Sequence, residues 1–320
     1  MKKYFLLLFT ILTLVSCKDE TKKELDISAI PVQFKVERFD QLFYTSKPKD
    51  LGKIKAAYPF LFPKQYQDSV WINKLNDPIS RELYNEVQKK YPTLGTLEND
   101  IETLLKHVKY YFPETKTPRV ITLISEVDVE AKSILTNDFL FISLDCYLGE
   151  SHQFYETFPE YKRIEFNPSQ ILPDAVRSFS YDKIAPPKNR TLLSLMIYKG
   201  KELYLKDLLI PDVSDFDKIA YTEMKYKWCF ENEAEIWTYF IENKLLYDSN
   251  PKNEQRFMSD APFSKFYLEI DPESPGRIGA WLGWQIVKSY ANAHPDVSLQ
   301  ELLALDAKIL FEESKYKPKK

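Results

Sequence analysis

Hydrophobic and polar positions change period several times along the chain. VQFKVERF, residues 32–39, alternates apolar and polar and predicts a strand. Asp77-Pro78 reads as a cap followed by a first-turn proline and opens a helix to about Tyr91. Ile101, Leu104, Leu105, Val108, Tyr111 and Phe112 keep helical spacing and predict a helix over 97–112. RVITLISEV (119–127) and FLFISLD (139–145) are dense in β-branched and aromatic residues and predict paired strands. After Gly149 the helical period returns, giving helices at about 168–181, 191–209, 222–247, 275–293 and 298–310. Ser274-Pro275 reads as a helix start, and Ser298 with Glu301 forms a capping box. Helices, then a small sheet, then many helices describe a mostly helical α+β single domain.

A different pattern precedes this domain. Lys2 and Lys3 are followed by an unbroken apolar run from Tyr4 to Val15. That is too short for a membrane-spanning helix, which needs about 20 residues, but it suits the core of a secretory signal peptide. The run ends in Leu14-Val15-Ser16-Cys17, which has the form of a lipoprotein box. Such a box directs a diacylglycerol onto the Cys17 sulfur, cleavage before it and acylation of the new amine. Three acyl chains exceed the two signals that stable anchoring requires. The expected organisation is a signal peptide over 1–16, a lipidated tether over 17–31 and one globular domain over 32–315. Lys18-Asp19-Glu20 resembles an export signal of Bacteroidota surface lipoproteins and equally suits a solvated tether; the membrane leaflet stays open.

Composition narrows the functional classes. The formal net charge is -3, and removal of Lys2 and Lys3 makes it -5, so no basic excess argues for nucleic acid. Aromatics at 15% with seven glycines suit a rigid core and leave no glycine-rich phosphate loop. Cys146 and Cys229 lie inside apolar runs and are expected as buried free thiols, with pairing left open. No later segment reaches 18 apolar residues, so lipid is the only expected anchor.

Familiar catalytic motifs are missing. His107, His152 and His294 are scattered, and no HExxH, GxSxG or Walker sequence occurs. Glu231, Glu233 and Glu235 sit two apart on a predicted helix, so the three do not converge; Glu231 and Glu235 share a face. A solvated face is the expectation, with a carboxylate-based hydrolase as the alternative. Gly276, Gly279 and Gly283 have helical spacings of three and four and predict a packing groove against helix 191–209, bordered by Trp281, Trp284, Ile286 and Val287.

The most distinctive stretches are FISLDCYLG (141–149), IYKGKELYLKDLLIPD (197–212), WCFENEAEIWTYFIENKLLY (228–247), APFSK (261–265) and SPGRIGAWLGWQIVKSY (274–290). Together they resemble the gliding motility lipoprotein GldB family of Bacteroidota over about residues 30–315. That family is similar in layout to predicted gluzincin-like zinc proteases. Their HExxH helix would fall at Pro173-Asp174-Ala175-Val176-Arg177, and their third-ligand stretch at Lys199 to Tyr204. The resemblance therefore implies a degenerate former metal site at Asp174, Arg177 and Lys199, with both histidines replaced and cations that would repel Zn²⁺. Asp174 is expected to pair with Lys199 or Arg177. It further implies a lipid-anchored, non-catalytic envelope protein of the gliding machinery, with a link to type IX secretion. Such a protein would have the membrane and other proteins as partners and no cofactor. An envelope hydrolase, or a peptidoglycan or sugar binder using exposed tryptophans, is the alternative.

The leader generates the first prediction. Cys17→Ala is expected to leave an unlipidated protein, either uncut or released in soluble form. Mass spectrometry of the native N-terminus checks this, and a mature terminus without acyl chains refutes it.

Overall fold

The computed structural model describes residues 25–319. The signal peptide, Cys17 and most of the tether lie outside the described residues. The first strand, β1 (Val36–Arg38), is followed by three short helices, α1 (Phe39–Tyr44), α2 (Leu51–Ala57) and α3 (Asp68–Asn76). Two longer helices come next, α4 (Pro78–Lys90) and α5 (Leu97–Tyr111). Asp77 caps α4 by accepting from the Ser80 amide at 2.7 Å. The sheet is then completed by β2 (Arg119–Leu123), β3 (Ser133–Leu135) and β4 (Phe139–Ser143). Its order is β1-β2-β4-β3, with β1 and β4 parallel to β2 and β3 antiparallel to β4. Val120, Ile121 and Thr122 are buried in succession, as expected of a parallel strand covered on both faces. Strand 32–39 shortens to its last residues, and α1, α2, α3 and β3 have no counterpart in the sequence reading. Elements of three to nine residues are too short for a periodic pattern to establish itself.

The C-terminal half is helical: α6 (Glu160–Arg163), α7 (Ile171–Ser180), α8 (Leu192–Leu209), α9 (Asp215–Ile219), α10 (Glu223–Glu231), α11 (Glu233–Glu242), α12 (Pro251–Phe257), α13 (Ile278–Ala293), α14 (Leu299–Ala304) and α15 (Ala307–Ser314). The α7 helix lies on the sheet edge, where the Leu135 amide donates to Ser178 Oγ at 2.7 Å. All eighteen residues of α8 are buried or partly buried. On one side Lys201 Nζ donates to the Leu303 and Leu305 carbonyls at 3.0 and 2.6 Å, tying α8 to the end of α14.

Three expected helices differ from those observed. Helix 222–247 breaks at Asn232, whose side chain donates to the Trp228 carbonyl at 2.8 Å and ends α10. Helix 298–310 divides because Asp306 caps a new helix, α15, although the Ser298–Glu301 capping box does open α14. Helix 275–293 begins late, at Ile278, because Arg277 takes a left-handed φ of 58°. The Ser274 hydroxyl instead donates to the Asp271 carbonyl at 2.8 Å.

The glycines of this region do not form one groove. A β-carbon on Gly283 would overlap the Met196 carbonyl of α8, and one on Gly200 would overlap the Gly283 carbonyl. A β-carbon on Gly279 would come 2.6 Å from Met258 Sδ and 3.0 Å from the Phe257 carbonyl, at the end of α12, and 3.3 Å from the Met196 side chain of α8. Gly276 precedes α13, and a β-carbon there would overlap the Ala261 carbonyl. The close crossing of α8 and α13 is therefore made by Gly200 with Gly283, flanked by fully buried Trp281 and Trp284.

Glycine in a helix costs about 1 kcal/mol against alanine, so opposite substitutions should have opposite signs. Gly283→Val is expected to destabilise by at least about 2–3 kcal/mol, since backbone rather than a flexible side chain must yield. Gly52 in α2 has nothing within 4 Å of a β-carbon. Gly52→Ala should stabilise by about 0.4–1 kcal/mol. Urea denaturation of the two variants checks both signs.

Candidate functional site

Residues from α7 and α8 meet across a cavity of about 420 Å³. Asp174 and Arg177 project from α7, and Gln170 lies just before it. Lys199, Glu202, Leu203 and Lys206 recur on α8 at i, i+3, i+4 and i+7, which puts them on one face. Lys218 to Ala220 at the end of α9, Met258 to Asp260 after α12, and Arg277 and Ala280 at the start of α13 complete the lining.

Every buried charge here has a partner. Asp174 takes an ion pair from Lys132 Nζ at 2.9 Å, another from Arg177 Nη2 at 3.2 Å, and a hydrogen bond from the Tyr147 hydroxyl at 2.9 Å. Lys199 does not reach Asp174 as a partner; it pairs with Glu202 at 2.9 Å. Lys206 stands 3.4 Å from the other Glu202 oxygen and donates to the Lys218 carbonyl at 2.9 Å. Lys218 in turn bridges Asp207 and Asp215 at 3.1 and 2.9 Å, and Trp284 Nε1 donates to Asp207 at 2.7 Å. Burial works against the Glu202 charge, but Lys206, Lys199 and Arg177 outweigh it and hold the carboxyl down at about 2. Burial lowers Lys206 against the pull of Glu202, and raises Asp207 despite Lys218.

Backbone strain gathers at the same place. Ala220 and Arg277 both have left-handed φ, 54° and 58°. Arg277 Nη2 donates to the Ile219 and Ala220 carbonyls at 2.9 and 3.4 Å, and its Nε lies 3.2 Å from Asp260. Each strained residue thus helps hold the other. A second cavity of about 680 Å³ adjoins the first and shares Glu165, Ala220, Asp260 and Arg277 with it.

The donor set does not suit a catalytic metal. Such a site requires three nitrogen, sulfur or carboxylate ligands. Pro173, Arg177 and Lys199 supply no metal ligand. Among the described residues no group of three His, Cys, Asp or Glu side chains is arranged to hold an ion. His107 and His294 each place Nδ1 3.0 Å from the carbonyl four residues earlier, and His152 faces Glu86 at 3.4 Å. Cys146 and Cys229 are free and buried, and burial pushes both thiols up, away from nucleophilic thiolate.

Two sequence alternatives lose their geometry. Glu231 and Glu235 are exposed and lie on different helices, while Glu233 is buried and accepts from the Tyr316 hydroxyl at 2.5 Å. All five tryptophans are buried or partly buried, so none presents an open sugar-stacking face. Sequence reasoning missed Lys132, Tyr147, Glu202, Lys206 and Arg277. The α8 stripe was detectable as charge recurring at helical spacing within a helix apolar on its other faces. Lys132 and Tyr147 come from loops beside the sheet and carried no periodic signal.

Residues 20–318 match the family described as gliding motility protein GldB, and the chain belongs to that family. No curated protein and no solved structure matches it.

Two predictions follow from the charge network. Lys132→Met removes a cation from a buried carboxylate and is expected to cost about 3–5 kcal/mol in urea denaturation at neutral pH. For Glu202 the folded value of about 2 lies below the ordinary 4.5. Its ion pairs therefore stabilise the fold above the ordinary value, and the contribution fades as pH falls toward the folded one. The shift corresponds to about 3 kcal/mol, lost between about pH 5 and pH 2. Glu202→Gln should flatten the acid limb of the stability profile in that window.

Proposed function

We propose that this member of the GldB family works in the cell envelope as a lipid-anchored, non-catalytic binding protein of the gliding machinery, with a link to type IX secretion. Family membership carries the motility role. The Cys17 box supports the anchor, since no described helix is long and apolar enough to cross a membrane. The observation behind a binding role is the junction of α7 and α8. There Asp174, Arg177, Lys199 and Glu202 are tied into mutual pairs around an open cavity, rather than poised as unpaired acids, bases or metal ligands. Such pairing fixes side-chain positions and suits recognition of a charged ligand more than proton transfer, which needs a group free to change its charge.

Purified residues 18–320 are expected to hold no stoichiometric zinc and to cleave no generic peptide. Crosslinking in gliding cells should capture discrete envelope proteins. Tight one-to-one zinc with chelator-sensitive cleavage would overturn the non-catalytic reading.

A further inference from the structure

The two adjoining cavities differ in which charges they present. In the inner cavity Asp174 and Glu202 are hidden, their side chains 9% and 6% exposed, while their partners Arg177 and Lys199 are 33% and 42% exposed. Arg277 is 26% exposed beside the 40% exposed Asp260, which lines both cavities. Arg177 gives one N–H to Asp174, so the rest of its donor fork remains for a ligand.

The outer cavity reverses the arrangement. Its cations are turned to backbone: Arg163 donates to the Phe158 and Glu156 carbonyls, and Lys225 to the carbonyls of Pro272, Glu273 and Ser274. Its carboxylates, Glu150, Glu156 and Glu160, are exposed. Between the two poles the wall is largely apolar, with Ile164, Tyr221, Met224 and Pro262. Each cavity lies within the roughly 300–1,000 Å³ range of ligand sites.

We propose that this cleft binds the C-terminal end of a polypeptide, its α-carboxylate set among Arg177, Lys199 and Arg277 and a basic side chain upstream lying at Glu150, Glu156 and Glu160. A ligand with an anion at one end, an apolar middle and a cation at the other matches both poles and the wall between them. The Arg177 guanidinium suits the planar carboxylate because it can donate two parallel hydrogen bonds, while Arg277, whose Nε and Nη2 are engaged by Asp260 and the Ile219 and Ala220 carbonyls, adds charge. The proposal rests on the binding role above and names the chemistry of the partner.

The test uses the purified full chain and two pools of random hexapeptides of equal composition, one with free C-termini and one amidated. Retained peptides are identified by mass spectrometry. The free-acid pool is expected to be retained about tenfold or more over the amide pool, the value of one lost charge-assisted hydrogen bond. Retained sequences should be enriched in lysine or arginine upstream of the terminus. Lys199→Gln should bring the two pools near parity, with its fold checked by circular dichroism. A Glu156→Gln, Glu160→Gln double variant should lose the basic preference and keep the free-acid preference. Equal retention of the pools by the unmodified protein, or retention of neither at millimolar peptide, overturns the proposal. If crosslinked partners persist in cells despite that result, the binding role stands and this inference alone falls.

Discussion

The approach of Gly200 to Gly283 is the constraint on which the rest depends. Two helices meet there with no side chain between them, so neither can shift without backbone overlap. This contact sets the depth at which α8 lies in the core. It thereby determines that Lys199, Glu202 and Lys206 face inward, toward α7. It also positions the start of α13, and with it the strained Arg277 that closes the cavity from the other side. The packing contact and the charged site are thus adjacent faces of one buried helix.

Burying so many charges is unfavourable unless each is paired and hydrogen-bonded. The solution here is a network rather than isolated pairs. Lys132, Tyr147 and Arg177 converge on Asp174, Lys199 and Lys206 on Glu202, and Lys218 joins Asp207 to Asp215. Sharing partners keeps the Glu202 carboxylate ionised although it is buried, while Lys199 and Arg177 keep an accessible side. Among the described residues the same arrangement leaves no three-ligand metal set. Membership of a gliding motility family gives the site its setting.

Long periodic segments were legible in the sequence because burial of one helix face writes itself into the spacing of apolar residues. Helices α4, α5, α7 and α8 appear close to their expected bounds for that reason. Asp77 and Ser298 were readable as caps because capping is a local interaction. Asp174, Arg177 and Lys199 were placed at one site by resemblance, and they do line one cavity, although the partner of Lys199 is Glu202.

The remaining features depend on residues distant in the chain. Arg277, at the start of α13, is held by a hydrogen bond to the Ile219 carbonyl, 58 positions away, that spacing does not encode. Gly276, Gly279 and Gly283 share a helical rhythm, and Gly279 and Gly283 both face Met196 of α8, yet Gly279 lies closer to the end of α12 and Gly276 meets the loop at Ala261. Lys132 reaches Asp174 from a loop 42 positions away, brought there by the sheet edge on which α7 rests. The sequence by itself determined the helical character and the absence of HExxH, GxSxG and Walker motifs, since these follow from local composition and spacing. Tertiary structure alone decided which side of each ion pair faces the cavity, because exposure is a property of how elements pack and not of any residue's place in the chain.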